Sequence, residues 1–423
     1  MHSQHGTSSP VTTVDSHDQA FVRKPAFDRR TTTPYGYRQP MDIHAGSSMV
    51  AATVVPLVAK EGVPHWWGPL FQRSRTRSVF LSEAWMQSWL DVYAHDFSGW
   101  WIRWQDGDTI VAGCLLLRRV VWKQFIPLRT LYINATGEAS ERTPLAEFND
   151  ILCRPGYEQA VAIDFSALLG TMSWDRLLLS GHEHNAVVSA IIAKLPATAV
   201  EVDSRPAWYV DIAALPTGRF DASLAGKVGS HIRRNTRLFE KQFGDLGLVT
   251  ATSLDEAMHY FRDLSVLHNA RWRSKGQDGS FSSNSVVRFH ECLIRRLWPE
   301  QAVDMVRVSG GLQVIGYLYN FTSENKVCVF QTGFVYGSDT RLSPGLLTHT
   351  MSIEHYRQRG FREYDLLAGD APYKRALAGC NRALHWTVVY RDTLWMRLVL
   401  ALRALKSRLA KHRRTPEAPE ATS

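Results

Sequence analysis

The feature that most restricts this chain is a three-strand meander in its second half. Strand-like apolar runs at 302–308, 312–321 and 326–334 are joined by the short turns Ser309-Gly310-Gly311 and Ser323-Glu324-Asn325, so consecutive strands are expected to pair antiparallel. Before the meander come a basic helix at 227–243, a strand at 246–251, a helix running from Ser253-Leu254-Asp255-Glu256 to about residue 273, and a helix capped by Asn284. The Ser253 to Glu256 spacing is that of a capping box. After it come a helix that opens at Ser343-Pro344-Gly345 and stops at Arg359-Gly360, a strand at 363–367, a short helix around 373–377 and a strand at 383–390. Proline at the first helical position and glycine just past the last are ordinary start and stop signals. Strands interleaved with helices in this order predict an α/β fold with a mixed sheet covered by helices.

The first half follows the order more loosely. Ser82 opens a helix with Trp85, Trp89 and Tyr93 on one stripe, and a hairpin turns at Asp106-Gly107-Asp108. A strand near Leu131, helical patterns over about 144–169, a strand at 176–180, a helix at 185–195 and a strand at 208–212 complete it. A chain of 423 residues exceeds one ordinary core, and Leu215-Pro216-Thr217-Gly218 is the best boundary. The expected organisation is a tail at 1–47, an N-terminal lobe at 48–215, a C-terminal lobe at 216–390, a basic amphipathic helix at 391–414 and a tail at 415–423. The five cysteines form no CxxC pair, which argues against a zinc knuckle or disulfide framework and for reduced thiols in a cytoplasmic protein. No secretory signal and no run of about 18 apolar residues is visible. The pair His182 and His184 lacks a third ligand at metal spacing, so no metal is expected.

The order of the second half resembles that of the GNAT acyltransferases, and short motifs sharpen the likeness. Ser230-His231-Ile232-Arg233-Arg234-Asn235, Leu267-His268 with Arg271-Trp272, Gln331-Thr332-Gly333-Phe334, Ser343-Pro344-Gly345-Leu346-Leu347, and Tyr364 to Asp370 leading to Tyr373-Lys374 resemble a branch found with bacterial cellulose and exopolysaccharide production. That branch is related to the peptidoglycan-bridge aminoacyl transferases. The resemblance covers about 219–390 well and 65–215 weakly. It implies two GNAT-like lobes, a tandem acyl-CoA N-acyltransferase fold with mixed central sheets flanked by helices. It also implies an acyltransferase using acyl-CoA, acetyl-CoA foremost, on an amine or hydroxyl of a sugar or cell-envelope precursor. The ordinary pyrophosphate loop of the superfamily, Arg/Gln-x-x-Gly-x-Gly/Ala, is reduced here to Arg341-Leu342-Ser343-Pro344-Gly345-Leu346, with one glycine. A charged tRNA as donor, and a non-catalytic accessory module of a polysaccharide-synthesis complex, therefore stay open.

The residues themselves suggest roles and plain alternatives. The helix start at Ser343, Gly345 and Leu346, with Arg341 beside it, offers free N–H groups and a dipole to a phosphate; it also describes an ordinary Pro-started helix. The resemblance places the thioester carbonyl against the strand at Gln331, Thr332, Gly333 and Phe334. His268 or Asp365 is the expected base and Tyr373 the acid, while a structural helix histidine and a salt-bridged strand carboxylate are the bland readings. Arg233, Arg234, Arg271, Trp272 and Lys374 are the expected substrate-binding residues, Lys374 through phosphate or developing negative charge. Each has a solvated-surface alternative.

Net charge locates the partners. The total of +9 divides as +1 over 1–50, −3 over 51–215, +6 over 216–390 and +5 over 391–423. This favours one phosphate-bearing ligand in the C-terminal lobe over a general nucleic-acid coat. The last segment repeats Leu394, Trp395, Leu398, Val399, Leu402, Leu405 and Leu409 at helical spacing among eight Lys and Arg. It suits packing on the domain, or contact with an anionic membrane or a polysaccharide synthase.

Overall fold

The computed structural model describes residues 50–123, 125–224 and 226–412; the expected tails at 1–47 and 415–423 lie outside these. The first half contains β1 (Ala51–Pro56), α1 (Trp67–Arg73), α2 (Glu83–Tyr93), β2 (Ser98–Asp106), β3 (Thr109–Lys123), β4 (Ile126–Ile133), β5 (Leu152–Cys153), α3 (Glu158–Thr171), β6 (Arg176–Glu183), α4 (Val187–Ile192) and β7 (Ala197–Asp211). The second contains α5 (Phe220–Ser223), α6 (Gly226–Phe243), β8 (Leu246–Thr250), α7 (Leu254–Arg273), α8 (Asn284–Leu297), β9 (Val303–Gly310), β10 (Gln313–Ser323), β11 (Lys326–Phe334), α9 (Pro344–Gln358), β12 (Glu363–Ala368), α10 (Pro372–Leu377), β13 (Cys380–Arg391) and α11 (Leu394–His412). It is the expected α/β architecture.

The strands join one sheet in the order β1-β2-β3-β4-β6-β13-β7-β12-β11-β10-β9-β8, with β5 beside β3. Each half repeats one plan. A meander (β2 to β4, or β9 to β11) is followed by a helix and a strand parallel to the meander's last member, β6 beside β4 and β12 beside β11. The final strand of each half then crosses over. β7 pairs with β13 and β12 of the second half, while β13 pairs with β6 of the first. The strand expected at 208–212 is thus a fifteen-residue strand that stitches the lobes together.

Local chemistry explains the helix starts. Ser82 accepts from the Trp85 N–H (3.2 Å), and Ser253 accepts from the Glu256 N–H (3.2 Å) while Glu256 reaches back to the Thr252 N–H (2.8 Å). The aromatic stripe of α2 does not cover only its own lobe. Trp85 packs edge-on against Phe289 of α8 (4.9 Å), Phe321 and Phe330, and Asp91 pairs with Arg296 (2.7 Å).

The helix expected over 144–169 forms only from Glu158. Leu145 (φ 62°) and Phe148 (φ 49°) are left-handed, which a helix excludes. The Asp150 carboxylate instead accepts the N–H groups of Ile151, Val187 and Val188. The five cysteines are unpaired thiols. Among the described residues no helix is long and apolar enough to cross a membrane.

Both ladder partners of β13 belong to the other half. Residues 216–391 alone would therefore carry three newly unsatisfied strand edges, both of β13 and one of β12. That fragment is expected to be insoluble or to lack a cooperative urea transition, whereas residues 48–412 unfold in one transition monitored by tryptophan fluorescence.

Candidate active site

The site begins where two strands part. β11 and β12 are paired only from Lys326 to Cys328 against Glu363 to Asp365; beyond that β12 turns its pairing to β7 alone. At the far end of β11 a cavity of about 630 Å³ opens, bounded by Phe334, Tyr336, the segment Leu342–Leu346, His349, Tyr373 and Arg271, among others.

The N-terminus of α9 forms one wall. Its position is set by Asn235, buried on α6, whose Oδ1 accepts the Ser343 N–H (2.9 Å) and whose Nδ2 donates to the Ser343 carbonyl (3.1 Å). Ser343 makes no side-chain cap, Pro344 has no N–H, and no acidic residue lies in the first turn. The N–H groups of Gly345 and Leu346 therefore have no intrahelical acceptor. Gly345 is required by packing: a Cβ there would lie 2.9 Å from the Phe334 ring, and one on Gly316 would lie 2.6 Å from it. Two glycines thus make room for the one aromatic that closes β11.

His349 lies one turn further along α9 and was not singled out in the sequence. It is fully buried, its Nδ1 is 3.1 Å from the Tyr364 hydroxyl, and its Nε2 has no partner. Burial, aided by the charge of Lys374, pushes its pKa down to about 3. It is neutral at physiological pH. Its ring stacks on Tyr373 (5.1 Å, 13°), whose phenol is pushed up to about 12 by burial. Arg271 stands over the Tyr336 ring (4.3 Å) at the rim.

Behind this wall is a second group that sequence reasoning missed. Glu147, from the left-handed loop of the first half, accepts the Ala368 N–H (2.9 Å). Lys374 donates to the carbonyls of Leu367 (3.1 Å) and Ala368 (2.7 Å). Desolvation raises the Glu147 pKa to about 7, against the pull of that hydrogen bond and of Lys374, and lowers that of Lys374. A carboxylate poised near neutrality and an ammonium thus hold the same backbone turn where the lobes join.

Several expected residues take other places. Asp365 is fully buried in an ion pair with Lys326 (2.7 Å), near Arg382 (3.7 Å), and its Oδ1 accepts the Leu367 N–H; it is at the closed end of the splay, away from the cavity. His268 donates from Nδ1 to the Thr332 carbonyl (3.2 Å), packs on Phe281 and does not line the cavity. Arg341 is held by Asp339 (2.7 Å) at the surface. Of Gln331, Thr332, Gly333 and Phe334, only Phe334 reaches the cavity; a Cβ on Gly333 would strike the Leu264 carbonyl at 2.6 Å, so that glycine serves the contact with α7. Trp272 packs beside His268, Arg233 binds the Asp221 carbonyl, and Arg234 is exposed on α6. Ser343, Gly345, Leu346, Arg271 and Tyr373 line one cavity together. His182 bonds Thr387 and Ser189, and no cluster of metal-ligating side chains occurs among the described residues.

Residues 226–375 match the acetyltransferase (GNAT) domain family. On that match the chain carries an acyltransferase domain, and the helix start and the splayed strands both fall within the matched segment. No curated protein matches. Solved structures similar to the chain include FemX (7% identity, 79% of this chain and 96% of that one, TM-score 0.49). L-PGS from Bacillus licheniformis is another (10%, 81% and 96%, 0.47), as is a tandem GNAT protein from the clavulanic acid biosynthesis pathway (13%, 80% and 98%, 0.39).

The Phe334 wedge is directly testable. Gly345→Ala is expected to destabilise the protein by about 1–3 kcal/mol through overpacking. Phe334→Leu in the same chain should recover part of that loss in urea unfolding.

Proposed function

We propose that the protein transfers an acyl group from an acyl-CoA thioester to an amine or hydroxyl of a sugar or cell-envelope precursor. The observation that carries this reading is the cavity joining an open helix N-terminus to the orphaned Nε2 of His349. The two features ask for a ligand with an anionic part and a polar atom deeper in. The free N–H groups of Gly345 and Leu346 suit a phosphate, and Arg271 at the rim adds a positive charge. The donor supplies an acyl carbon bonded to a sulfur leaving group.

The chain's own groups then divide the work. The acceptor nitrogen or oxygen bonds to the acyl carbon, the carbon–sulfur bond breaks, and the acceptor's proton is relayed to Glu147, which stands behind the cavity wall and off its lining. Asp365 is unsuited as base because its charge is spent on Lys326, and His268 because burial lowers its pKa and its Nδ1 is taken up by the Thr332 carbonyl. His349 is too weak a base at a pKa of about 3. Glu147 titrates in the range where a base is effective. Tyr373 acts as a hydrogen-bond donor to the leaving sulfur. A phenol at about 12 would have to protonate a thiolate near 8.5, uphill by about 5 kcal/mol. No enzyme nucleophile is required.

A second reading has its own observation. Lys227, Arg234, Arg237 and Lys241 are exposed along one side of α6 and form no ion pair among the described residues. The same helix, through Asn235 on its buried face, holds the cavity's helix start. A charged tRNA donor would use such a stripe, and its affinity would fall steeply with salt.

Two measurements separate these readings and test the base. Acetyl-CoA at 100 times its dissociation constant should stabilise the protein by about 2.7 kcal/mol in a thermal scan, and His349→Ala should abolish the shift. No shift with any acyl-CoA, together with salt-sensitive tRNA binding, would sink the first reading. In the active protein kcat/KM should rise with pH through about 7 as Glu147 loses its proton. Glu147→Gln should lower it by roughly 10²–10⁴-fold and remove that limb of the profile.

A further inference from the structure

The helix that follows the last strand is fixed to the molecule by one face and leaves another bare. Met396 and Val399 of α11 are buried against Leu128, Val388 and Tyr390 of the sheet, and Arg403 reaches Glu201 (3.3 Å) and the Tyr390 hydroxyl (3.0 Å). These contacts set its rotation. Leu394, Trp395, Leu398, Leu402 and Leu405 then face outward, each between 46% and 83% exposed. At 100° per residue the five fall within a stripe about 100° wide. No charged residue interrupts it. Arg397 flanks one side and Lys406 the other, and the sequence continues with Arg408, Lys411, Arg413 and Arg414.

A second element presents the same chemistry next to it. The hairpin between β3 and β4 carries Phe125 at its tip, 95% exposed with φ 72°. The next residue, Ile126, packs against the cluster that holds Met396 and Val399. Trp122, on the same hairpin, is also exposed. Apolar side chains on two elements, one of them a helix with basic flanks, are unusual on a surface that meets only water.

We infer that α11 and the β3–β4 hairpin tip seat the protein on an anionic membrane surface, with the apolar stripe at the headgroup boundary and the basic residues on lipid phosphates. Charge complementarity selects this occupant. Residues 391–423 carry +5, and each Lys or Arg near an anionic leaflet adds to binding. A protein face or a second copy would not need a basic rim. The stripe from Leu394 to Leu405 is about 17 Å long, too short to span a bilayer and suited to lying in its surface.

The test uses the full chain and vesicles of phosphatidylcholine alone or with roughly 30% phosphatidylglycerol, read by co-sedimentation. Wild type should partition to the anionic vesicles, at least about tenfold better than to the neutral ones, and less so as NaCl is raised. Leu398→Glu/Leu402→Glu, both at exposed positions, should lose at least about tenfold of that partition while keeping the melting temperature and acyl-CoA response of wild type. Phe125→Ser, on the other element, should lower it independently. Failure of wild type to bind, or wild-type binding by the double variant, overturns the inference. So does a wild-type dimer in sedimentation velocity that the double variant lacks, which would assign the stripe to a second copy.

Discussion

The ladder between β7 and β13 is the constraint on which the rest of this molecule depends. Its register runs from Cys380 opposite Tyr209 to Arg391 opposite Ala197, and each strand lies deep in the territory of the other half. Backbone groups buried in a sheet must be paired, so neither half can complete its sheet without the other. The geometry between the lobes follows from main-chain hydrogen bonds, not from side-chain contact alone. This is what brings a carboxylate from the first half, Glu147, and an ammonium from the second, Lys374, onto one backbone turn. Their meeting point is pinned by the Ala368 N–H on one side and the carbonyls of Leu367 and Ala368 on the other.

The end of β12 shows how that meeting point is built. Leu367 has φ 61° and Gly369 φ 117°, conformations that a non-glycine residue adopts only when its surroundings impose them. Asp365 supplies part of the imposition by accepting the Leu367 N–H while Lys326 neutralises it. Lys326 and Arg382 are in turn placed beside the Phe148 ring (4.3 and 5.7 Å). Buried ion pairs add little net stability, because desolvation offsets their attraction. Here the pair fixes the turn that delivers Tyr373 and Lys374. Asp365 matters to the site by shaping it, without touching the cavity.

Much of the second half could be read from the sequence because its signals are local. Turns, caps and the Pro344 helix start depend on neighbours within a few residues, and each was found within a residue or two of its place. The strand exchange was invisible because pairing between residues 200 and 390 leaves no local trace. Residues 144–157 misled for a related reason. Leu145, Phe148 and Leu152 have helical spacing, yet the carboxylates of Glu147 and Asp150 take backbone N–H groups from other elements and hold the loop open. Glu147 was missed with that loop. His349 was missed because α9 is buried on almost every side, with Thr348, Thr350 and Ser352 also inside, so no polar face marked it. One signal was present: a histidine one turn beyond a Pro-Gly helix start with no acidic residue in its first turn.

The duplication also explains why only one half has the site. The first-half counterpart of α9 is α3, and its first turn already carries a negative charge. Glu158 stands in the first turn and its carboxylate accepts the Gly156 N–H (2.8 Å), while Tyr157 is tied to Asp106 (2.9 Å). An internal carboxylate complements the dipole there, and it would repel a phosphate. The charge of −3 over 51–215 acts in the same direction. In the second half the first turn holds proline and glycine, no acid, and a cavity with an unpartnered histidine behind it. One fold plan, used twice, carries its own glutamate in the first turn in one copy and leaves that turn open to a ligand in the other.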